Sequence, residues 1–249
     1  MRILLTNDDG IGAEGLLAVY SSLKKIADVD VVAPLDQKSS IGHAITLSQP
    51  LFAKNIFKNK KKFGTAISGT PADCVKFAIG VLKIKPDLII SGINLGHNDG
   101  CSVFYSGTVA GAREAALLGY PAMAVSLATF QQPDYSYAAK LSSRLAKKMI
   151  EFKFPYGKFL NVNIPNLKQK EIKGVRITRQ CTDPIHGLFY KNINPHGDEY
   201  YWMSGKIPSP QKDVNIDTYA LQQKYVTVTP IQNDLTDASL LEEIKNWDL

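Results

Sequence analysis

Arg2-Ile3-Leu4-Leu5-Thr6-Asn7-Asp8-Asp9-Gly10-Ile11-Gly12-Ala13-Glu14-Gly15 is the stretch from which the fold is read. Residues 3–5 are a short apolar run of the kind that makes a buried strand, and the glycines behind it mark a tight turn. Beyond Gly15, the residues Leu16, Leu17, Val19, Tyr20 and Leu23 recur at helical spacing, which predicts a helix over 15–26. A buried strand, a glycine turn and an amphipathic helix open a βαβ unit. Asp8 and Asp9 then fall at the carboxyl end of the first strand, where an open parallel sheet binds its ligands. Two close carboxylates repel, and a shared divalent cation relieves the repulsion most directly. Oxygen donors there suit a hard ion such as Mg²⁺ or Mn²⁺. Asn7-Asp-Asp-Gly10 is also good turn chemistry, so the pair alone does not separate a metal site from a surface turn.

The alternation continues outward. Residues 29–33 read as a second strand stopped by Pro34, and residues 45–67 as short alternating stretches that suggest a hairpin. Thr70-Pro71-Ala72-Asp73 opens a helix, with Thr70 as N-cap, Pro71 at the first helical position and Asp73 adding negative charge to the first turn. Residues 88–91 form a compact buried strand that runs into a glycine-rich stretch over 92–107. A helix over 108–118, a strand over 122–127, a helix over 135–150 and a strand over 159–164 follow. The expected fold class is α/β: a Rossmann-like, mostly parallel sheet with helices on both faces, plus extended C-terminal arms. The arms come from residues 182–214, which are irregular and carry Pro184, Pro195, Pro208 and Pro210 with the aromatic group Tyr200, Tyr201 and Trp202. A late strand over 225–229 and a terminal helix over 238–247 complete the reading. Residues 1–181 are thus expected to form the catalytic core, and 182–249 an arm or hairpin and a strand-helix segment that serves oligomerisation and packs on the core.

At 249 residues and 45% hydrophobic content, the chain can bury one α/β core. No apolar run is long enough to span a bilayer, and the first residues lack the apolar stretch of a signal peptide, so the expectation is a cytoplasmic protein with no membrane partner. Cys74, Cys101 and Cys181 are odd in number and scattered, without the spacing of a zinc site or a redox dithiol, and read as reduced thiols. The net charge of +6 invites a nucleic-acid reading. Much of the excess is local, however: Lys54, Lys58, Lys60, Lys61 and Lys62 are interleaved with Phe57 and Phe63, the pattern of a lysine-rich hairpin tip that keeps an edge strand soluble. Nucleic acid is therefore not the favoured partner. A mildly basic surface also attracts small anions.

Two blocks carry chemistry. Gly10-Ile-Gly12-Ala-Glu-Gly15 satisfies G-x-G-x-x-G between a strand and a helix, the context of a dinucleotide fingerprint. Asp8 and Asp9 would stand beside the pyrophosphate, and the acidic ribose ligand expected after the second strand is missing, since Val31-Val-Ala33 runs into Pro34. The second block is Ser91-Gly-Ile-Asn94-Leu-Gly96-His-Asn98-Asp-Gly100-Cys-Ser102-Val-Phe-Tyr105-Ser106-Gly107-Thr108. It enters a helix at Gly107 and Thr108, whose backbone N–H groups and helix dipole, with the Ser106 and Thr108 hydroxyls, make a cradle for one phosphoryl group. Asn94 can give a carbonyl oxygen to the cation of Asp8 and Asp9, and Asn98 can donate its amide to phosphate. The alternative is that Ser106 and Thr108 merely cap a helix.

These motifs resemble the SurE (stationary-phase survival protein) family of metal-dependent nucleotidases. The resemblance runs nearly the whole length, through Asn7-Asp-Asp-Gly10, Val32-Ala-Pro34, Gly69-Thr-Pro-Ala-Asp-Cys-Val75, Ser91-Gly-Ile-Asn94, Tyr105-Ser-Gly-Thr-Val109, Leu160-Asn-Val-Asn-Ile-Pro165 and Asp234-Leu-Thr236. It implies a Rossmann-like core, one divalent ion per subunit, and hydrolysis of nucleoside 5′- and 3′-monophosphates, with some activity on short polyphosphate. By position it implies metal ligands at Asp8, Asp9, Ser39 and Asn94, and phosphate contacts at Asn98, Ser106, Gly107 and Thr108. Two positions depart from the pattern: Ser40 follows Ser39 where the family has glycine, and Ser102 replaces a usual aspartate. The resemblance also implies arm exchange between protomers, hence a homodimer or tetramer.

The expected reaction is metal-assisted phosphoryl transfer to water. A nucleophilic-aspartate phosphatase would carry Asp-x-Asp after its first strand. Adjacent aspartates project in different directions, so attack by water is favoured and Asp9 reads as ligand rather than nucleophile. Of the four histidines, His43 and His97 fall near the site and His186 and His196 in the arms, and none is expected to be catalytic. Phe104, Tyr105 and arm aromatics are the candidates for base recognition. Two other classes remain as alternatives: a nicotinamide-dinucleotide-binding oxidoreductase, which accounts only for residues 10–15, and a nucleic-acid-binding protein, which accounts only for the lysine cluster and basic charge.

Overall fold

The computed structural model describes residues 1–152, 154–206 and 211–247. Pro208 and Pro210 of the predicted arm lie outside the described residues. The chain opens with β1 (Arg2–Thr6), α1 (Glu14–Leu23) and β2 (Asp28–Pro34), followed by a hairpin of β3 (Ala53–Lys58) and β4 (Lys61–Ile67). Then come α2 (Pro71–Gly80), β5 (Leu88–Leu95), α3 (Gly107–Leu117), β6 (Ala122–Ala128), α4 (Ser136–Phe152) and β7 (Lys158–Pro165). The C-terminal part supplies β8 (Val175–Ile177), β9 (His186–Ile193), β10 (Glu199–Lys206), α5 (Asp217–Gln222), β11 (Val226–Gln232) and α6 (Ala238–Ile244).

Nine strands form one mixed sheet in the order β3-β4-β2-β1-β5-β6-β7-β11-β8. Every neighbour from β4 to β7 is parallel, while β3 and β11 run antiparallel to β4 and β7. Strand order therefore reverses at β1, with β2 on one side and β5 on the other, and the crevice at their carboxyl ends is the topological switch point where such sheets bind ligands. The central strands are mostly apolar because both faces of the sheet are covered there. Ile3, Leu5, Val31, Leu88 and Ile90 pack on one face with Leu16, Val19 and Leu23 of α1 and Leu141 and Met149 of α4. Leu4, Val32 and Ile89 point to the other face, against Cys74 and Val75 of α2 and Val109 and Ala112 of α3. The expected α/β class and its doubly covered parallel sheet are what the structure has.

The differences have local causes. α1 stops at Leu23 and α6 at Ile244, each shorter than the apolar pattern. β5 continues past Ser91 to Leu95 through a bulge that puts one extra residue opposite β6. Gly92 permits it: its φ is +135°, and a Cβ there would stand 2.3 Å from the Val125 carbonyl oxygen. β8 and α5 were not expected, because three and six residues are too short to show a period. From the C-terminal part, β11 enters the main sheet between β7 and β8, whereas β9 and β10 pair only with each other. The lysine cluster sits at the β3/β4 hairpin on the sheet edge, turning through Asn59 and Lys60, both with positive φ. Among the described residues, no helix is long and apolar enough to cross a membrane.

Candidate active site

The crevice at the switch point opens into a cavity of about 710 Å³. Asp8, Ser39, Ser40, Asn94, Asn98 and Ser106 line its polar side, and Phe130, Ile185 and Met203 part of its apolar side. Asp8 follows β1 and is 4% exposed. Its carboxylate accepts a short hydrogen bond from the Thr108 hydroxyl, and its backbone oxygen accepts from Lys38 N at 2.7 Å. Asp9 turns the other way, toward the end of β5, where its Oδ2 accepts from Leu95 N at 3.1 Å. The expected divergence of the two side chains is thus present. Burial pushes the Asp8 carboxyl up to about 6, the Thr108 hydroxyl pulls it back, and the Asp9 charge raises it further. Burial likewise raises Asp9, against the hydrogen bond from Leu95 N.

Asn94 sits on the bulged end of β5. Its Nδ2 donates to the Gly96 carbonyl at 2.9 Å, which leaves Oδ1 as its free acceptor among the described residues. Ser39 is reached by a loop after β2; Gln37 Nε2 donates to its Oγ at 2.8 Å, and Ser40 beside it also lines the cavity. Two carboxylates, an amide oxygen and a hydroxyl oxygen are hard donors that fit a cation of the magnesium class. No group of three or more His, Cys, Asp or Glu side chains gathers for a metal among the described residues, so such an ion would take part of its shell from water or from a bound anion.

The N-terminus of α3 faces this pair. Gly107 lies against Asp8, and a Cβ added there would come within 2.8 Å of the Asp8 Cβ, so only glycine allows the approach. Ser106 caps the helix: its Oγ accepts from Val109 N at 3.1 Å, while its own O–H remains free to donate. Thr108 is fully buried and gives its hydroxyl to Asp8, which engages one of the two hydroxyls expected in the phosphate cradle. The Ser106 hydroxyl and the Gly107 N–H stand beside it at the start of α3. Asn98 is also more constrained than expected, since its Nδ2 donates to Ser126 Oγ at 2.8 Å and keeps only one hydrogen for a ligand. Gly15 of the dinucleotide-like run lets α1 pack on β5, because a Cβ there would meet the Ile93 oxygen at 2.0 Å.

Several site residues carried no assigned role in the sequence reading. Asn161 and Asn163 of β7 are fully buried and hold the Asn98 backbone, Asn161 Nδ2 donating to Asn98 O and Asn98 N donating to Asn163 Oδ1, each at 2.7 Å. Their signal was present: two amides at i and i+2 in an otherwise apolar strand. His97 lines the cavity with Nδ1 2.5 Å from Oδ1 of buried Asp99, and Phe130 packs on its ring. Of the expected aromatics, Tyr105 lines this cavity and Phe104 lines a separate one with Arg113.

Fold and site define an α/β protein with a polar crevice, lined by the Asp8 carboxylate, at the switch point of a parallel sheet. The sequence model of the Survival protein SurE family matches residues 3–186, and the chain belongs to that family. It is 43% identical to a protein of Syntrophobacter fumaroxidans named 5′-nucleotidase SurE, across the full length of both chains. A protein of the same name from Carboxydothermus hydrogenoformans is 46% identical, over 99% of this chain and 96% of its own. The crystal structure of the SurE protein from Aquifex aeolicus superposes with a TM-score of 0.86 at 36% identity, covering 98% of each chain.

Proposed function

We propose that this chain is a metal-dependent nucleotidase that hydrolyses nucleoside 5′-monophosphates to nucleoside and phosphate. Full-length similarity to proteins named 5′-nucleotidase SurE supports the reaction class. The observation that carries the chemistry is the contact of Gly107 with Asp8, which sets the Asp8 carboxylate against a helix N-terminus. A cation between carboxylates and phosphate makes that arrangement favourable. Asp8, Asp9, Ser39 and Asn94 would hold one Mg²⁺ or Mn²⁺. When bound, the ion withdraws charge from a phosphate oxygen and activates water for attack. Ser106 O–H, Gly107 N–H and Asn98 Nδ2 then stabilise the equatorial oxygens as negative charge spreads over them. Thr108 serves by fixing Asp8. Phe130, Tyr105 and the base of the β9/β10 hairpin offer the apolar wall against which a nucleoside packs. Activity on 3′-monophosphates and short polyphosphate, a homodimeric or tetrameric assembly and a cytoplasmic location belong to the same proposal.

Release of inorganic phosphate from AMP and GMP, with and without Mg²⁺ or Mn²⁺, tests the reading. We expect turnover that stops on chelation and returns with the ion. Salt-dependent binding of DNA or RNA without phosphate release would favour the nucleic-acid alternative instead.

A further inference from the structure

Expelling a nucleoside from its monophosphate breaks a phosphorus–oxygen bond to a sugar alkoxide, a strongly basic leaving group that needs a proton as it departs. The groups assigned so far do not supply one. Asp8 and Asp9 would hold the cation, and the hydroxyl and amides of Ser106, Asn94 and Asn98 are too weakly acidic. His97 stands in the same cavity lining. Its Nδ1 is fixed at 2.5 Å by Asp99, whose side chain is only 3% exposed, and its Nε2 has no partner among the described residues. The segment cannot drift: Asn98 is held on both backbone atoms by Asn161 and Asn163, and Gly100 N donates to buried Asp217 at 2.9 Å. Phe130 meets the imidazole edge to face, with ring centroids 6.0 Å apart.

We propose that His97, oriented by Asp99, is the general acid that protonates the leaving ester oxygen. The proposal rests on the nucleotidase reading and adds the group that releases the nucleoside. As water attacks phosphorus, the bond to the ester oxygen breaks and its electron pair stays on that oxygen. The Nε2 proton passes to the oxygen, and the nucleoside leaves as an alcohol. The proton lost by the attacking water goes to phosphate or solvent, and neutral His97 recovers one from solvent before the next turnover. The Asp99 hydrogen bond raises the His97 imidazole from its ordinary value, against burial, which favours the protonated form the step needs. The other titratable groups facing this cavity are Asp8 and Tyr105, with Asp9 bonded to Leu95 N and Asp217 close enough to Asp99 for their charges to interact.

The test compares two leaving groups. His97→Gln keeps a hydrogen-bond donor but has no transferable proton. On AMP its kcat is expected to fall by about 10²-fold or more, and on p-nitrophenyl phosphate, whose phenolate departs unaided, by less than about tenfold. Equal losses on both substrates, or none on AMP, would overturn the role. Asp99→Asn should shift the alkaline fall of kcat to lower pH and move the imidazole NMR titration of His97 the same way; an unmoved profile would also overturn it. Wild-type protein that releases no phosphate from AMP fails the nucleotidase reading and this proposal together. Active wild type with evenly impaired variants fails this proposal alone.

Discussion

A carboxylate buried beside another carboxylate is held against the low polarity around it, and Asp8 is the clearest case in this chain. Asp8→Asn removes a charge while keeping an oxygen for the Thr108 hydroxyl. The metal-free variant should therefore melt above wild type, by roughly 1 to 3 kcal/mol in stability, while turnover is abolished and added Mg²⁺ no longer raises Tm. Asp9→Asn should act in the same direction and more weakly, because Asp9 is only partly buried. Thermal melts over a metal titration check both, and a wild-type metal response in either variant would contradict the ligand assignment. Ser106 carries two functions on one oxygen, accepting from Val109 N while its hydrogen stays available to a ligand. Ser106→Ala should thus cost about 1 kcal/mol of stability as a lost cap and about ten- to a thousandfold in kcat as a lost donor. A lowered denaturant midpoint with unchanged kcat would leave only the cap. Asp8, Asn94 and Ser106 were legible in the sequence because each ends or begins a periodic element. His97 was placed near the site, but its pairing with Asp99 was not legible, since two residues spaced i and i+2 in a glycine-rich loop obey no period that sets their mutual distance.

At the scale of elements, the segment between β2 and β3 does the most with the least regular structure. It carries Ser39 to the cavity although residues 35–52 hold no strand or helix, and its conformation is fixed by side chains of its neighbours. His43 Nε2 lies 2.8 Å from Glu114 of α3, which also pairs with Lys76 of α2 at 2.7 Å. Thr46 donates to Asp73 from backbone and hydroxyl, at 3.0 and 2.6 Å, and Thr70 gives its hydroxyl to Ala44 O at 2.7 Å. Asp73 is the hub, because the same carboxylate also accepts from Thr70 N in a capping box. Burial raises the Asp73 carboxyl, but hydrogen bonds from Thr46 and Thr70 outweigh it and hold the group below its ordinary value. Its stabilising contribution is therefore present above the ordinary carboxylate range and is lost as pH falls through the depressed folded value. Asp73→Ala should lower stability by about 1 to 3 kcal/mol and flatten the acid limb of the Tm profile below about pH 5, down through the depressed value, as differential scanning calorimetry would show. An acid limb as steep as wild type would assign the shift elsewhere. The sequence revealed Thr70 as the α2 N-cap and Asp73 in its first turn, because capping is local, though not the reciprocal bond from Thr70 N to Asp73. It left the second use of Asp73 hidden, since the partner is 27 residues away and joined by no regular element.

For the whole molecule, the unusual part is the β9/β10 hairpin, which joins no other sheet. A two-stranded ribbon is marginal by itself in water. This one also exposes Phe189, Tyr190, Ile193, Tyr201, Trp202 and Met203, a concentration of apolar surface that monomers rarely leave open. The base of the same hairpin, at Gly187, Met203 and Ser204, lines the cavity. Covering the ribbon and completing the active site are thus coupled, and a second copy of this chain is the partner whose hairpin could do both through a symmetric contact. Light scattering at micromolar concentration should therefore find at least a homodimer. Trp202→Ser with Phe189→Ser should weaken it, because each removes a large aromatic from the exposed face. Dilution then separates shape from function. If a partner hairpin helps build the cavity wall, kcat/KM per chain should fall as the dimer dissociates, and the double variant should show the fall at higher protein concentration than wild type. A monomer with full activity would mean that the chain's own hairpin suffices, and that its aromatic surface answers to some other contact.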